Sequence, residues 1–296
     1  MDCNPRMSLL RPPAVYLFGG AFVIVSIMAA SLNILILAIL SKRCKKVRSN
    51  KLLTSLAISD ALTGLLVGPI SAWQMFQHKA LINCKVDLIR RYLFVLLIGS
   101  SCFALAGIAY DRYICLTKLN NYDKYMTRRK ITIIIAFGWI CPGLIPILKL
   151  AGKFPYLCIG NAVLVFSSFC LVICYIFITK AVRKQKRIMK KHALEISFTS
   201  PQRRLETSVK ESCCQRLEKT VTILIICHLC CTVPITSWSI LDLVNSTVVN
   251  FINTETVQYI YTVVIFISQT NSCCNPIIYF LKNPAVRKEL RDLFRK

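Results

Sequence analysis

Charge is scarce in these 296 residues, and acid is the scarcest part of it. Charged side chains make up 17% of the chain and hydrophobic ones 55%, with a mean hydropathy of +0.56. A soluble domain runs nearer about 25% charged and about 45–50% apolar, so the shortfall excludes an ordinary soluble enzyme. Only 13 residues are Asp or Glu against 38 Lys or Arg, a net charge of +25. Spread evenly, that excess would suit a nucleic-acid binder. Here the bases sit in short clusters between long uncharged runs, which is the layout of a membrane protein and points to no nucleic-acid partner. A cleavable signal peptide is not expected either: the first apolar run is long, with no basic n-region and small-residue cleavage site, and the first helix is expected to act as its own signal-anchor. Nor is there an internal repeat or a matched pair of Gly/Pro-interrupted segments, which counts against an inverted-repeat transporter.

What is present is oil in lengths that fit a bilayer. Seven apolar runs, Val15–Leu40, Leu52–Phe76, Tyr92–Tyr110, Ile131–Leu148, Phe154–Thr179, Thr220–Leu241 and Thr256–Leu281, approach or exceed the ~18–20 residues a crossing needs. Without water at that depth each must be helical to close its backbone hydrogen bonds. The expected fold is therefore all-α: one seven-helix domain over 1–296, with helices near 15–40, 51–76, 88–116, 130–150, 156–183, 216–242 and 255–281. Lys and Arg set the orientation. With the N-terminus outside, 30 bases fall on the cytosolic side and 8 on the other, so the C-terminus is expected in the cytosol. Of 16 Cys, only Cys3, Cys84 and Cys158 then lie outside, and the rest read as small hydrophobes.

Most connections are short, but 180–219 is long and basic. Part of it is expected to extend the fifth and sixth helices, with Thr199-Ser200-Pro201 breaking the middle. Beyond Leu281, Val286, Leu290, Leu293 and Phe294 recur at helical spacing among bases. Pro284 suits a first helical turn, so 284–295 reads as a short amphipathic eighth helix lying on membrane lipid.

Ionisable and amide groups inside a membrane are costly and mark function. Asp60 lies about nine residues from the basic start of its helix, roughly 14 Å in and near the middle of a ~30 Å core. Asn33, Ser101, Asn271 and Ser272 fall at similar depth. Two readings fit: an oxygen cage holding Na⁺ at Asp60, or a hydrogen-bonded polar core without an ion. Asn271, Asn275 and Tyr279 share one face of the seventh helix, and Pro276 frees the carbonyl of Ser272 and permits a kink. Asp111-Arg112-Tyr113 stands where the third helix meets the cytosol.

Together these features resemble the rhodopsin-like G protein-coupled receptors along nearly the whole chain. Leu56-Ala57-Ile58-Ser59-Asp60, Asp111-Arg112-Tyr113, Trp139 and Asn275-Pro276-Ile277-Ile278-Tyr279 match the family's motifs in order, Asn33 falls at the first helix's hallmark Asn, and Tyr175 looks like the inward Tyr of the fifth. The resemblance implies a plasma-membrane receptor and no enzyme. An extracellular small-molecule, lipid or peptide ligand would favour an outward swing of the sixth helix. Arg112, Tyr175 and Tyr279 would then meet a heterotrimeric G protein, with arrestin and a receptor kinase as further partners. It also implies an internal sodium pocket at Asp60, Ser101, Asn271 and Ser272, and no other cofactor.

The departures are informative. Cys231-Thr232-Val233-Pro234 replaces the usual Cys-Trp-x-Pro, so the sixth helix lacks its Trp; His228 stands where an inward Phe is usual, Ser167 replaces a Pro, and Cys102 replaces an Ile. The acid that often pairs with the third-helix Arg falls at Cys214, with Glu218 one turn higher, which implies basal signalling. Asp87 occupies the usual third-helix Cys position; the resemblance leaves open a substitute Cys84–Cys158 disulfide, free thiols, or another pairing. The missing Pro, the displaced Cys and the very short second outer loop resemble the melanocortin, cannabinoid and lysophospholipid branch. The ligand is expected among Asp87, Arg90, Arg91 and Phe94 on the third helix. Opposite them stand Ile235, Ser239 and Asp242 on the sixth and Tyr261 on the seventh. Phe94 stands where amine receptors place an Asp, which disfavours a monoamine, and the absence of Lys from the seventh helix excludes an opsin. Arg90 and Arg91 suit an anionic head group, whereas Asp87 suits a basic peptide, and the sequence leaves both open. Asn245-Ser246-Thr247 is an outer glycosylation sequon. A transporter or channel, or a non-signalling heptahelical accessory protein, is the rival reading.

Overall fold

Bilayer-length apolar runs fold here as predicted, into seven long helices. The structure, a computed structural model, describes residues 12–43, 50–76, 84–118, 121–145, 147, 153–195, 201–244, 254–282, 286–287 and 290–291. Within these helices it leaves the side chains of 12, 42–43, 84, 153–157, 167, 186, 189–195, 201–218, 221, 242–244 and 254–255 undescribed. In chain order the helices are α1 (Pro12–Arg43), α2 (Asn50–Phe76), α3 (Cys84–Thr117), α4 (Arg128–Leu144), α5 (Lys153–Glu195), α6 (Pro201–Val244) and α7 (Thr254–Lys282). A single turn, Tyr122–Tyr125, joins α3 to α4, and no strand occurs among the described residues.

Five of the seven, α1, α2, α3, α5 and α6, hold spans long and apolar enough to cross a membrane. α4 has only 17 residues, about 26 Å. Its outer limit falls short of the expected 150 because Pro146 has no amide hydrogen to continue the ladder, and the helix stops at Leu144. In α7 the polar stripe dilutes the oil. α5 and α6 run further than expected, to Glu195 and from Pro201. Lys, Arg, Gln and Glu are good helix formers, so the basic connection continues as helix and breaks where Pro201 opens the next one.

The molecule is oily outside and polar within. Leu17, Ile27, Phe137, Phe169, Ile226 and Leu281 are exposed, while Asn33, Asp60, Ser71, Gln269 and Asn275 are buried. Such an inversion belongs to a chain whose solvent is lipid. Two apolar cores lie at opposite ends of the bundle. One gathers Leu52, Leu56, Ile108, Ile178 and Ile278, and the other Phe22, Met75, Ile235 and Ile265. Polar side chains fill the belt between them.

Two details of α2 escaped the sequence reading. Gly68-Pro69 interrupts its ladder, and the helix widens into a π turn over Thr63–Val67, with the Gly68 amide donating to the Thr63 carbonyl. Pro69 lacks a donor, and its ring would crowd a carbonyl one turn back; the wider turn absorbs both faults. Gly64 and Gly68 then form a small-xxx-small face on α1. A Cβ on Gly64 would stand 2.6 Å from the Ala30 amide nitrogen and 2.7 Å from the Ser26 carbonyl oxygen.

Of the expected eighth helix, Val286, Arg287, Leu290 and Arg291 are described and helical. Val286 is buried, Leu290 packs against the apolar core beneath it, and the two Arg are exposed. The rest of that segment, like Asn245, lies outside the described residues.

Candidate functional site

Mid-bundle, Asp60 is fully buried on α2. Ser272 Oγ donates to its Oδ1 at 3.0 Å and Asn275 Nδ2 to its Oδ2 at 2.8 Å. Of the set predicted around the acid, Ser272 alone bonds it. Asn275, expected as part of a switch, is a direct donor to the carboxylate. Asn33, expected beside the acid, instead donates at 2.9 Å to the Ser272 carbonyl. That carbonyl is the one Pro276 leaves without its helical donor. Asn33 therefore closes, from α1, the gap that proline opens in α7. Ser101 Oγ approaches the carboxylate without reaching hydrogen-bond geometry, and Asn271 Oδ1 has no partner.

Neighbouring polar contacts continue along α7. Ser268 donates to the Cys231 carbonyl on α6 at 3.0 Å, and Gln269 to Ser71 Oγ on α2 at 3.1 Å. His228, where the resemblance expected an inward Phe, is fully buried against Leu105, Ile108 and Leu171, and neither ring nitrogen has a hydrogen-bond partner. Trp139 on α4 donates to Ser55 Oγ at 3.0 Å and ties α4 to α2.

At one end of the bundle stands Asp111-Arg112-Tyr113. Asp111 is buried; its Oδ2 lies 3.9 Å from Arg112 Nε, and its Oδ1 accepts from the Tyr122 hydroxyl at 2.5 Å. Burial, then the hydrogen bond to that carboxylate, pushes the Tyr122 hydroxyl well above its ordinary value. The Arg112 side chain stays 35% exposed. Tyr113 packs on Phe177 with ring centroids 5.7 Å apart, half-buried Tyr175 packs on the local apolar core, and the buried Tyr279 hydroxyl has no partner. Gln185 reaches from α5 to the Leu116 carbonyl at 2.8 Å, satisfying an acceptor at the end of α3. Neither Tyr122 nor Gln185 was singled out from sequence; the one signal was their place in polar stretches flanking the triplet.

At the opposite end, Asp87 is claimed by two guanidinium groups. Arg90 donates to Oδ1 through Nη2 at 2.9 Å and Nε at 3.3 Å, and Arg91 Nε donates to Oδ2 at 2.7 Å. Arg90 Nη2 also lies 3.5 Å from the Tyr261 hydroxyl and is 1% exposed. Beside them is a cavity of about 120 Å³ lined by Arg90, Arg91, Phe94, Ile235, Ser239 and Tyr261 as expected, and by Asn161 and Trp238 as not expected. Asp87 holds the two Arg without lining the cavity, and the side chain of Asp242 lies outside the described residues.

Of the readings left open for Cys158, the disulfide is the one that fails. Cys158, half-buried on α5, carries a free thiol, so the Cys84–Cys158 disulfide is not made.

Known proteins share this architecture. The family model for the 7 transmembrane receptor (rhodopsin family) matches residues 32–154 and 148–279. Trace amine-associated receptor 5 of Rattus norvegicus is 25% identical over 272 residues, which cover 84% of this chain and 75% of that protein. The 5-hydroxytryptamine receptor 4 of Rattus norvegicus is 25% identical over 310 residues, covering 90% and 73%. Squid rhodopsin superposes with a TM-score of 0.82 at 17% identity over 100% of this chain and 90% of that one, a likeness of fold alone. With a polar belt at Asp60, an Arg at one end and a cavity at the other, this chain belongs to the rhodopsin family of seven-transmembrane receptors, multi-pass membrane proteins that signal through G proteins and are not enzymes.

Proposed function

We propose that this receptor sits in the plasma membrane with its N-terminus outside, and that the Asp87 end receives an extracellular ligand while the Asp111 end faces the cytosol. There Arg112, Tyr175 and Tyr279 meet the Gα subunit once α6 moves outward, and arrestin and a receptor kinase use the same face. The charge count supports the orientation, with 30 bases toward the cytosol and 8 outside.

One observation carries the switching part of this reading. Ser101, Asn271 and Tyr279 hold buried oxygens without partners between the ligand cavity and Arg112. A buried polar group left unsatisfied costs about 1–3 kcal/mol, so an arrangement that pairs these oxygens competes with the present one. The Asp60 belt also fits a sodium ion: one carboxylate and the oxygens of Ser101, Asn271 and Ser272 are hard donors suited to a hard cation. A bound cation would neutralise Asp60 and favour whichever state holds it, opposing the ligand-bound one.

The test is Arg112→Ala. Nucleotide exchange on Gα should be lost while cell-surface expression stays close to wild type. Full signalling by a normally expressed variant would remove Arg112 from the coupling site.

A further inference from the structure

The cavity at the Asp87 end has a chemical bias that the sequence left undecided. Asp87 suits a basic ligand only if its carboxylate faces one, and both its oxygens are turned to guanidinium groups: Oδ1 to Arg90 and Oδ2 to Arg91. Two Arg and one Asp leave a net charge of +1, and Arg90 is buried to 1% exposure. No acidic residue lines the cavity among its described residues, whereas both Arg do. Asn161, also in its wall and 8% exposed, has an amide nitrogen with no acceptor. The other walls are apolar and aromatic: Phe94, Ile98, Leu164, Trp238 and Ile265.

Donors and positive charge at one side of an otherwise apolar cavity define the complement. We propose that this site takes a monoanionic carboxylate carried on a compact apolar body. The carboxylate would accept from Arg91, Arg90 and the Asn161 amide, and the body would lie against Phe94 and Trp238. A single negative charge matches the net +1 of this triad; an ammonium ligand would meet two guanidinium groups and, among the described lining residues, no acid. Buried charge is retained only when it is paired, and guanidinium suits a carboxylate's two oxygens. The inference rests on the reading of the Asp87 end as the ligand end.

The experiment measures binding without signalling, so its failure is distinct from a failure of G-protein coupling. Purified full-length receptor in lipid nanodiscs would be melted with 3-phenylpropanoate or 4-phenylbutanoate, their amine and alcohol counterparts, and phenyl phosphate, each titrated to millimolar levels. The carboxylates should raise the melting temperature, and the amines and alcohols should not. Arg91→Gln, at a half-exposed position, should weaken the carboxylate response about ten-fold or more, as loss of a charged hydrogen bond does. Asn161→Leu, which keeps the volume and removes the donor, should weaken it several-fold without touching the ion triad. No carboxylate response, a stronger response to amines or phenyl phosphate, or an unchanged response in both variants would overturn the assignment.

Discussion

The tight seam between α1 and α2 allows a prediction whose ranking follows from distances. A Cβ placed on Gly68 would overlap Ser26 Oγ, lie 2.7 Å from Ser26 Cβ and 3.5 Å from Ser26 Cα. Gly68→Ala must therefore push the helices apart or twist the π turn, and overpacking of this kind costs about 1–3 kcal/mol. For a chain of this size each kcal/mol lowers the melting temperature by roughly 2 °C, so a loss of about 2–6 °C is expected. Removing only the hydroxyl, in Ser26→Ala with Gly68→Ala, leaves two Cβ atoms 2.7 Å apart and should recover little. Removing that Cβ as well, in Ser26→Gly with Gly68→Ala, leaves an ordinary 3.5 Å contact. It should restore most of the loss, less the few tenths of a kcal/mol that separate Ser from Gly in a helix.

Gly64→Ala is the counter-case. It meets backbone atoms, the Ala30 nitrogen at 2.6 Å and the Ser26 carbonyl at 2.7 Å. No change of side chain at residue 26 should rescue it. The 16 cysteines permit a thiol-reactive dye assay on purified receptor at one fixed heating rate. The seam is misread if Gly68→Ala melts with wild type, or if Ser26→Ala rescues it as fully as Ser26→Gly.

Three further outcomes are expected. Raising sodium should weaken agonist binding in membranes, and Asp60→Asn should abolish that dependence; equal sodium sensitivity in both proteins would leave the polar belt without an ion. A glycosidase-sensitive mass shift should disappear in Asn245→Gln, whereas a C-terminal epitope reachable on intact cells would reverse the orientation. Cys214→Glu should lower agonist-free nucleotide exchange by up to about five-fold at matched surface levels, the effect of the ~0–1 kcal/mol a partly solvated ion pair contributes. An unchanged basal signal would remove the missing acid as its cause.

The helices were legible because a bilayer enforces them: any run of that length without charge has one folded option. The depth of Asp60 followed from the same rule, and the motif order came from the family resemblance. Partners were less legible, because a hydrogen bond between helices depends on rotation about both axes. Asn275 and Asn33 illustrate this: Asn33 was expected beside the acid and bonds the Ser272 carbonyl, whereas Asn275 was expected only on the polar stripe of α7 and bonds the acid. Gly64 and Gly68 stand four residues apart in plain view, yet only the approach of Ser26 shows which helix they admit. Arg90 was expected at the ligand site, but not its burial, which follows from Asp87 one turn before it and Tyr261 across on α7. The basic reach after α5 was expected to be helical only in part, because polarity was weighed above helix propensity; it is helical to Glu195 and again from Pro201.

Where α7 is held limits how it can move. Among the described residues, five nitrogen and oxygen hydrogen bonds tie it to other helices in the belt, from Ser268 to Cys231, Gln269 to Ser71, Asn33 to Ser272, Ser272 to Asp60 and Asn275 to Asp60. They span Ser268 to Asn275, about 10 Å of helix. At a net 0.5–1.5 kcal/mol each, sliding α7 as a rod would forfeit about 3–8 kcal/mol. Allosteric coupling commonly amounts to about 1–3 kcal/mol, too little for that motion. Pivoting about the pinned segment keeps those bonds. It moves Tyr261, beside the ligand cavity, and Tyr279, beside the coupling end, in opposite senses. Pro276 lies at the edge of the pinned segment, where the ladder has already lost a bond and bends most cheaply. A ligand that contacts Tyr261 differently in two positions of α7 can therefore be felt at Tyr279 without breaking the belt between them.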